Sequence, residues 1–184
     1  MKYSRSLSSL FKTIISDAGP LIAFGRIDRL SVLFQLFKTV MIPKKVANEC
    51  TFDLSRPGAS NIKRAITTGK IKISTKTMEG EFNELIDILG EGEASAIKLA
   101  LINKSILLID GKSGRRAAKK LHVKIIGTAG ILLLAKKQEI IHEVWPVISE
   151  LKRCGYRLSQ SLIDEVMKLA KEAYPKSLSN SGST

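Results

Sequence analysis

The sequence predicts an α/β fold built on a parallel sheet, and three observations carry that prediction. Two short apolar runs, Thr13-Ile14-Ile15-Ser16-Asp17 and Ile106-Leu107-Leu108-Ile109-Asp110, each stop at a lone aspartate followed by small residues. Neither run alternates in polarity, which suits strands covered by helices on both faces. Candidate strands and helices then alternate along the chain, the pattern of right-handed β–helix–β crossovers. With 184 residues the chain is long enough for one domain, burying roughly 70% of its unfolded surface. That domain is expected over residues 1–175, with a helical extension from about residue 140 and a flexible tail at 176–184.

Taken in order, residues 1–11 are Ser-rich and expected to fray. After the Asp17 strand, Pro20 opens a helix through Leu21, Ile22 and Phe24, where its missing N–H costs little. Leu30, Leu33, Phe34 and Phe37 mark a second helix, and Lys38–Ile42 a second buried strand. Pro43 starts a helix through Val46, Glu49 and Cys50. Ser55–Gly58 is a break, and Ala59–Thr68 a basic helix closed by Gly69. Ile71 and Ile73 alternate with Lys72 and Ser74, as in a short edge strand. Gly80–Leu89 reads as a helix stopped by Gly90, and Glu91–Asn103 as a stronger one leading into the Asp110 strand. Ser113–Leu121 is a basic helix, Val123–Ile126 a strand, and Thr128–Lys137 a helix. Near the C-terminus, Trp145, Ile148 and Leu151 form one apolar stripe. Leu162, Val166 and Leu169 form another, behind a Ser159 or Ser161 cap.

A net charge of +13 points to a polyanionic partner, nucleic acid before an anionic membrane. The charge is unevenly placed. No acid lies between Asp53 and Glu79 or between Asp110 and Glu139, and both stretches are rich in Lys and Arg. The two cysteines do not make a disulfide framework, so a reduced, cytoplasmic chain is expected. No secretory signal is visible, since Lys12 and Asp17 interrupt the first apolar stretch. The longest apolar run, Ala129–Ala135, is far short of a membrane span.

Several chemistries are excluded. Gly111-Lys112-Ser113 follows a strand as a P-loop would, but Ile106 stands where that loop needs glycine. His122 and His142 lack partners at metal or catalytic spacing. No serine or cysteine sits in a nucleophile elbow. Aromatic residues are too sparse for base stacking along a single strand.

Four acids fit packing poorly. Asp17 and Asp110 end strands far apart in sequence, at the sheet edge where α/β proteins bind ligands. At 3.6 residues per turn Glu93 falls on the apolar face of Ala96, Ile97, Ala100 and Leu101. Glu91 projects the other way, toward Ser95 and Lys98, as a first-turn acid favoured by the helix dipole. Glu49 lies at the flank of the Val46–Ala47–Cys50 stripe. Two carboxylates 4 Å apart repel by about 4 kcal/mol at an effective dielectric near 20, so a cluster of four stays ionised only around a cation. Ligation by oxygen alone suits Mg²⁺ or Mn²⁺, and such an ion beside basic surface is what phosphodiester hydrolysis requires. Lys112, Arg115, Arg116 and Lys119, just after Asp110, read as phosphate contacts.

From Ile14 to about Lys171 the chain resembles the PIN-domain family. The resemblance lies in Ile15-Ser16-Asp17-Ala18-Gly19-Pro20-Leu21-Ile22, Ile42-Pro43 with Val46 and Glu49, Leu89-Gly90-Glu91-Gly92-Glu93-Ala94, and Leu107-Leu108-Ile109-Asp110. Ile126-Gly127-Thr128-Ala129-Gly130 and Gly155-Tyr156-Arg157-Leu158-Ser159 are similar to a subgroup of small prokaryotic members. The resemblance implies a three-layer α/β/α sandwich and a Mg²⁺- or Mn²⁺-dependent endoribonuclease. It also implies the company of VapC-like toxins, with a homodimer and a cognate antitoxin as partners. By motif match Asp17, Glu49, Glu93 and Asp110 would be the catalytic acids, with Asp17, Asp110 and Glu93 on the metal and Glu91 competing for the third position. Two departures stand out. Ala18-Gly19 supply no hydroxyl or amide side chain after the first acid, and Gly111 replaces the second of a doubled last acid. Ser16 or Thr128 would supply a supporting hydroxyl instead, Thr128 being equally placed to cap a helix. Two other readings stay open: a PIN-like module that grips RNA without cutting, and a protein whose basic surface docks an acidic antitoxin.

Overall fold

In a computed structural model of the chain, residues 11–75 and 89–175 are described. The chain divides after Thr128 into two compact units. The expected helix over Gly80–Leu89 falls almost wholly outside the described residues, as do the frayed start and the tail.

The first unit is organised by five parallel strands in the order β3-β2-β1-β4-β5. They are β1 (Phe11–Ser16), β2 (Phe37–Pro43), β3 (Ile71–Ser74), β4 (Ile106–Leu108) and β5 (Ile125–Ile126). Ile14 pairs with Val40 on one side and Ile106 on the other, and Val40 pairs in turn with Ile71. Ile14, Ile15, Ile42, Leu107 and Leu108 are fully buried. That burial is why the central runs are apolar without alternation. β3 lies at the sheet edge, where Ile71 is buried but Lys72 and Ile73 are both exposed, so the expected alternation does not carry over into burial.

The helices of this unit are α1 (Ala18–Arg26), α2 (Leu30–Leu36), α3 (Lys44–Thr51), α4 (Ala59–Thr67), α5 (Glu91–Ile102) and α6 (Lys112–Lys120). With them the sheet forms the three-layer α/β/α sandwich. Pro20 sits in the first turn of α1, and Pro43 is the N-cap of α3. α1, α3 and α4 pack on one another, while α5 lies against β1, β2 and β4 as well as α3 and α6. The α1–α4 approach depends on Gly58, which has φ +88°. A Cβ there would stand 2.6 Å from the Arg26 nitrogen.

Phe37 was expected to end α2 and instead opens β2, buried at 3% exposure. A bulky aromatic suits either element, so only its strand partner Phe11 decides. α5 is buried on more sides than one stripe requires: Gly92, Ala94, Ala96, Ile97, Leu99 and Ala100 are all covered, and Leu101 is half-buried.

Helix α7 (Thr128–Lys137) begins at the divide, and the second unit adds α8 (Trp145–Arg153) and α9 (Gln160–Ala170). Ser159 caps α9, its Oγ accepting from the Leu162 amide at 3.3 Å. The buried face of α9 is Ile163, Val166, Met167 and Ala170, whereas Leu169 is 61% exposed, so the expected stripe is rotated. Glu172 joins the pieces of this unit. Its carboxylate accepts from Lys136 Nζ at 2.6 Å and from the Val144 and Trp145 amides at 2.7 and 3.0 Å. Burial by itself would raise the Glu172 pKa, but these donors outweigh it and hold the carboxyl below its ordinary range.

Candidate metal centre

β1 and β4 are neighbours although β2 and β3 lie on the other side of β1. The strand order therefore reverses between them, and the crevice beyond their carboxyl ends is where open α/β sheets bind ligands. Asp17 directly follows β1, its amide donating to the Leu108 oxygen at 3.0 Å, and Asp110 lies two residues past β4. The two aspartates thus emerge from adjacent strands.

Asp17 is only 7% exposed. Burial pushes its carboxyl above the ordinary aspartate range. The amides of Ala18 and Gly19 pull it down without either making an N-cap hydrogen bond, and the charge of Asp110 pushes it up again. Asp110 is held at both oxygens. The Thr128 amide donates to Oδ1 at 2.9 Å and the Thr128 hydroxyl to Oδ2 at 2.7 Å. Thr128 is itself fully buried. Its hydroxyl is therefore turned onto the acid while its residue begins α7. The Ser16 hydroxyl, also buried, donates instead to the main-chain oxygen of Asp17 at 2.9 Å.

Glu49 and Glu93 arrive from α3 and from the first turn of α5. Glu49 is raised by burial first, then by Asp17 and Glu91, with Lys45 easing it. Glu93 is raised by burial, then by Asp17 and Glu49. Each acid thus stands in the field of others. Glu91, whose charge still reaches Glu49, is paired at the surface: its carboxylate accepts from Lys45 Nζ at 2.6 Å, both side chains more than half exposed. Cys50, beside Glu49, is pushed up to about 12 by burial and by Glu49 and Asp17, which leaves its thiol protonated and unreactive at neutral pH.

Sequence reasoning missed the glycines around these acids. A Cβ on Gly92 would collide with Glu49, 2.6 Å from Oε2 and nearer still to Oε1. One on Gly111 would collide with Glu93 Oε1, and one on Gly114 would stand 2.8 Å from that same oxygen. One on Gly127 would stand 2.8 Å from Asp110 Oδ1. Gly92 and Gly114 lie in the first turns of α5 and α6, helical positions that glycine favours less than alanine does. Two glycines in helix first turns beside acidic motifs were the signal available in the sequence.

On α6, Lys112, Arg116 and Lys119 are exposed on one side, opposite the buried Gly114 and Ala118. Arg115 is half-buried, and its Nη1 donates to the Ile109 oxygen at 3.1 Å. It braces the strand end that delivers Asp110.

Among the described residues, no three acids, histidines or cysteines stand close enough to enclose one ion as they lie. Mg²⁺ does not require such a cage. It keeps several waters and uses one or two carboxylates. Asp17 and Asp110, oxygen donors at the ends of adjacent strands, are the donor type such an ion takes.

A sheet that reverses order between two aspartate-ended strands, with two further glutamates close enough to feel the charge of Asp17, is an α/β sheet with acidic side chains at its switch point. Residues 13–172 match the PIN domain family, and the chain belongs to it. Family membership carries a nuclease-like function and a nucleic-acid substrate at that general level. No curated protein matches the chain. Among solved structures it is similar to a domain of a functionally unknown protein from Methanocaldococcus jannaschii DSM 2661. The two share 21% identity and a TM-score of 0.43, over 63% of this chain and 90% of that one.

Proposed function

We propose that this protein is a Mg²⁺- or Mn²⁺-dependent endoribonuclease whose site is formed by Asp17, Glu49, Glu93 and Asp110. The observation that carries this reading is that Asp17, itself buried, and Asp110 end two adjacent strands where the sheet order reverses, and burial with the neighbouring acids disfavours the charged forms of Asp17, Glu49 and Glu93. A divalent cation is what relieves all three together.

Asp17 and Asp110 are assigned to hold the ion directly, with Glu93 completing its shell through water. When bound, it would supply Lewis-acid neutralisation of charge on the phosphate and lower the pKa of water. Thr128 holds Asp110 in one orientation through its two hydrogen bonds. Glu49, its carboxyl raised by burial and by Asp17, is assigned to accept a hydrogen bond from the attacking water and take up its proton. Lys112, Arg116 and Lys119 would grip the RNA backbone beside the scissile phosphate, with Arg115 stiffening the platform. A role as the toxin of a type II pair, with a homodimer and a cognate antitoxin, belongs to the same reading. No helix among the described residues is long and apolar enough to cross a membrane.

A second reading, a module that binds RNA without cutting it, is favoured by one observation. Ala18 and Gly19 place no polar side chain beside Asp17, so fewer groups orient the ion and its water. Cleavage of single-stranded RNA with Mn²⁺, with EDTA and Asp17→Asn as controls, decides between the two. Cleavage lost in both controls supports the nuclease. RNA bound in EDTA and uncut under any metal supports the binding module. Cutting that survives Asp17→Asn removes the site assigned here.

A further inference from the structure

Three glycines near the acids have no backbone reason to be glycine. Gly92 and Gly114 lie within α5 and α6, and Gly111 has φ −56° and ψ 129°, open to any L-residue. By contrast Gly90, at φ +79°, is required by its backbone and meets nothing within 4 Å. The neighbours of the three are specific. Around Gly92 the nearest atoms are Glu49 Oε1, Oε2 and Cδ, and around Gly111 they are all in Glu93. Gly114 meets the Glu93 carboxylate together with Ile109 Cδ1. At Gly92 and Gly111 the three nearest atoms to the missing side chain all belong to one glutamate carboxylate.

We infer that Gly92 and Gly111 are positioning residues: their missing side chains form the seats that admit the Glu49 and Glu93 carboxylates to the acidic cluster. Both obstructed atoms are far ends of flexible glutamates. A methyl group at either position therefore moves the acid and leaves the fold. Position 111 and Glu93 compete for one volume, so this chain can carry a side chain at 111 or an inward Glu93, but not both. The inference deepens the proposed function, on which it rests for the metal-binding consequence alone.

Gly111→Ala and Gly92→Ala test it through three measurements. Melting temperatures are expected to equal or exceed that of the unaltered protein, Gly92→Ala gaining from helix propensity. Crystal structures are expected to show the Glu93 carboxylate displaced in Gly111→Ala and that of Glu49 displaced in Gly92→Ala. Mn²⁺ affinity, read by electron paramagnetic resonance, is expected to fall about tenfold or more, the range seen when groups supporting metal ligands are lost. In the Gly111→Ala background, shortening the acid by Glu93→Asp is expected to cost nothing further, whereas alone it weakens Mn²⁺ binding. Carboxylates unmoved in the variant crystals would overturn the seats. Seats that shift as described in a protein that binds no Mn²⁺ would leave the inference standing and remove the metal reading.

Discussion

Asp110 and Thr128, 18 residues apart, share two hydrogen bonds that occupy both carboxylate oxygens of Asp110. One comes from the start of a helix and one from a fully buried hydroxyl. The acid is therefore aimed by a residue that lies across the β4–β5 edge from it. Thr128→Val is expected to weaken Mn²⁺ binding by about 10- to 100-fold, with Thr128→Ser close to the unaltered protein. Isothermal titration with Mn²⁺ checks this, and equal affinity for the valine variant would contradict it.

Asp17 gives a pH dependence with a definite sign. Its folded pKa lies above its unfolded one, chiefly through burial. Such a group favours folding fully below the unfolded value, and that contribution is lost as pH rises through the folded value. In EDTA at neutral pH, Asp17→Asn is thus expected to melt above the unaltered protein, and the gap is expected to close on acidification through the carboxylate range. Adding Mn²⁺ at neutral pH should stabilise the unaltered protein and not the variant. Melting curves across pH, with and without metal, read all of this.

Glu91 and Glu93 separate cleanly. Glu91 pairs with Lys45 at the surface, a bond worth about 0–1 kcal/mol once solvent screening is counted. Glu91→Gln is expected to leave RNA cleavage within about twofold, as surface changes usually do. Glu93→Gln is expected to reduce it by about 10²-fold or more, the range for a group acting on the transition state. Equal losses in a cleavage assay would return Glu91 to the site.

The exposed face of α6 should govern RNA affinity and its salt dependence. Each of Lys112→Ala, Arg116→Ala and Lys119→Ala that removes a phosphate contact is expected to lower the slope of log affinity against log salt by about 0.7 for single-stranded RNA. Mn²⁺ affinity should be unchanged. Filter binding at several salt concentrations tests it, and an unaltered slope in all three would place the RNA elsewhere.

In the second unit, Glu172 answers Lys136 and the amides of Val144 and Trp145 at the start of α8 with one carboxylate, 9% exposed. Glu172→Ala is expected to cost about 2–4 kcal/mol, since it strands a half-buried ammonium and two helix-start donors. Because the folded pKa of Glu172 is depressed, its stabilisation is present above the unfolded value and lost as pH falls through the folded one. Denaturant melts at neutral pH and in acid measure both effects.

Much of this molecule was legible in its residue order. Apolar runs without alternation specified central parallel strands, because residues buried on both faces leave no position for a polar side chain. Their terminal aspartates marked the carboxyl edge, and Pro20 and Pro43 marked helix starts. Helical periodicity separated Glu93 from Glu91, since 3.6 residues per turn turns two glutamates two positions apart to different sides. What needed tertiary structure was everything that depends on a partner distant in sequence. Phe37 was claimed by β2 through pairing with β1, and the α9 stripe was rotated toward Ile163 and Met167. The Thr128 hydroxyl was turned onto Asp110, and Arg115 onto the Ile109 oxygen. Gly92 and Gly111 read as loose punctuation in one dimension. Only when α3 meets α5, and α5 meets α6, does a carboxylate from one segment fill the space beside a glycine of the other, and steric exclusion between distant segments leaves no periodic trace in a chain.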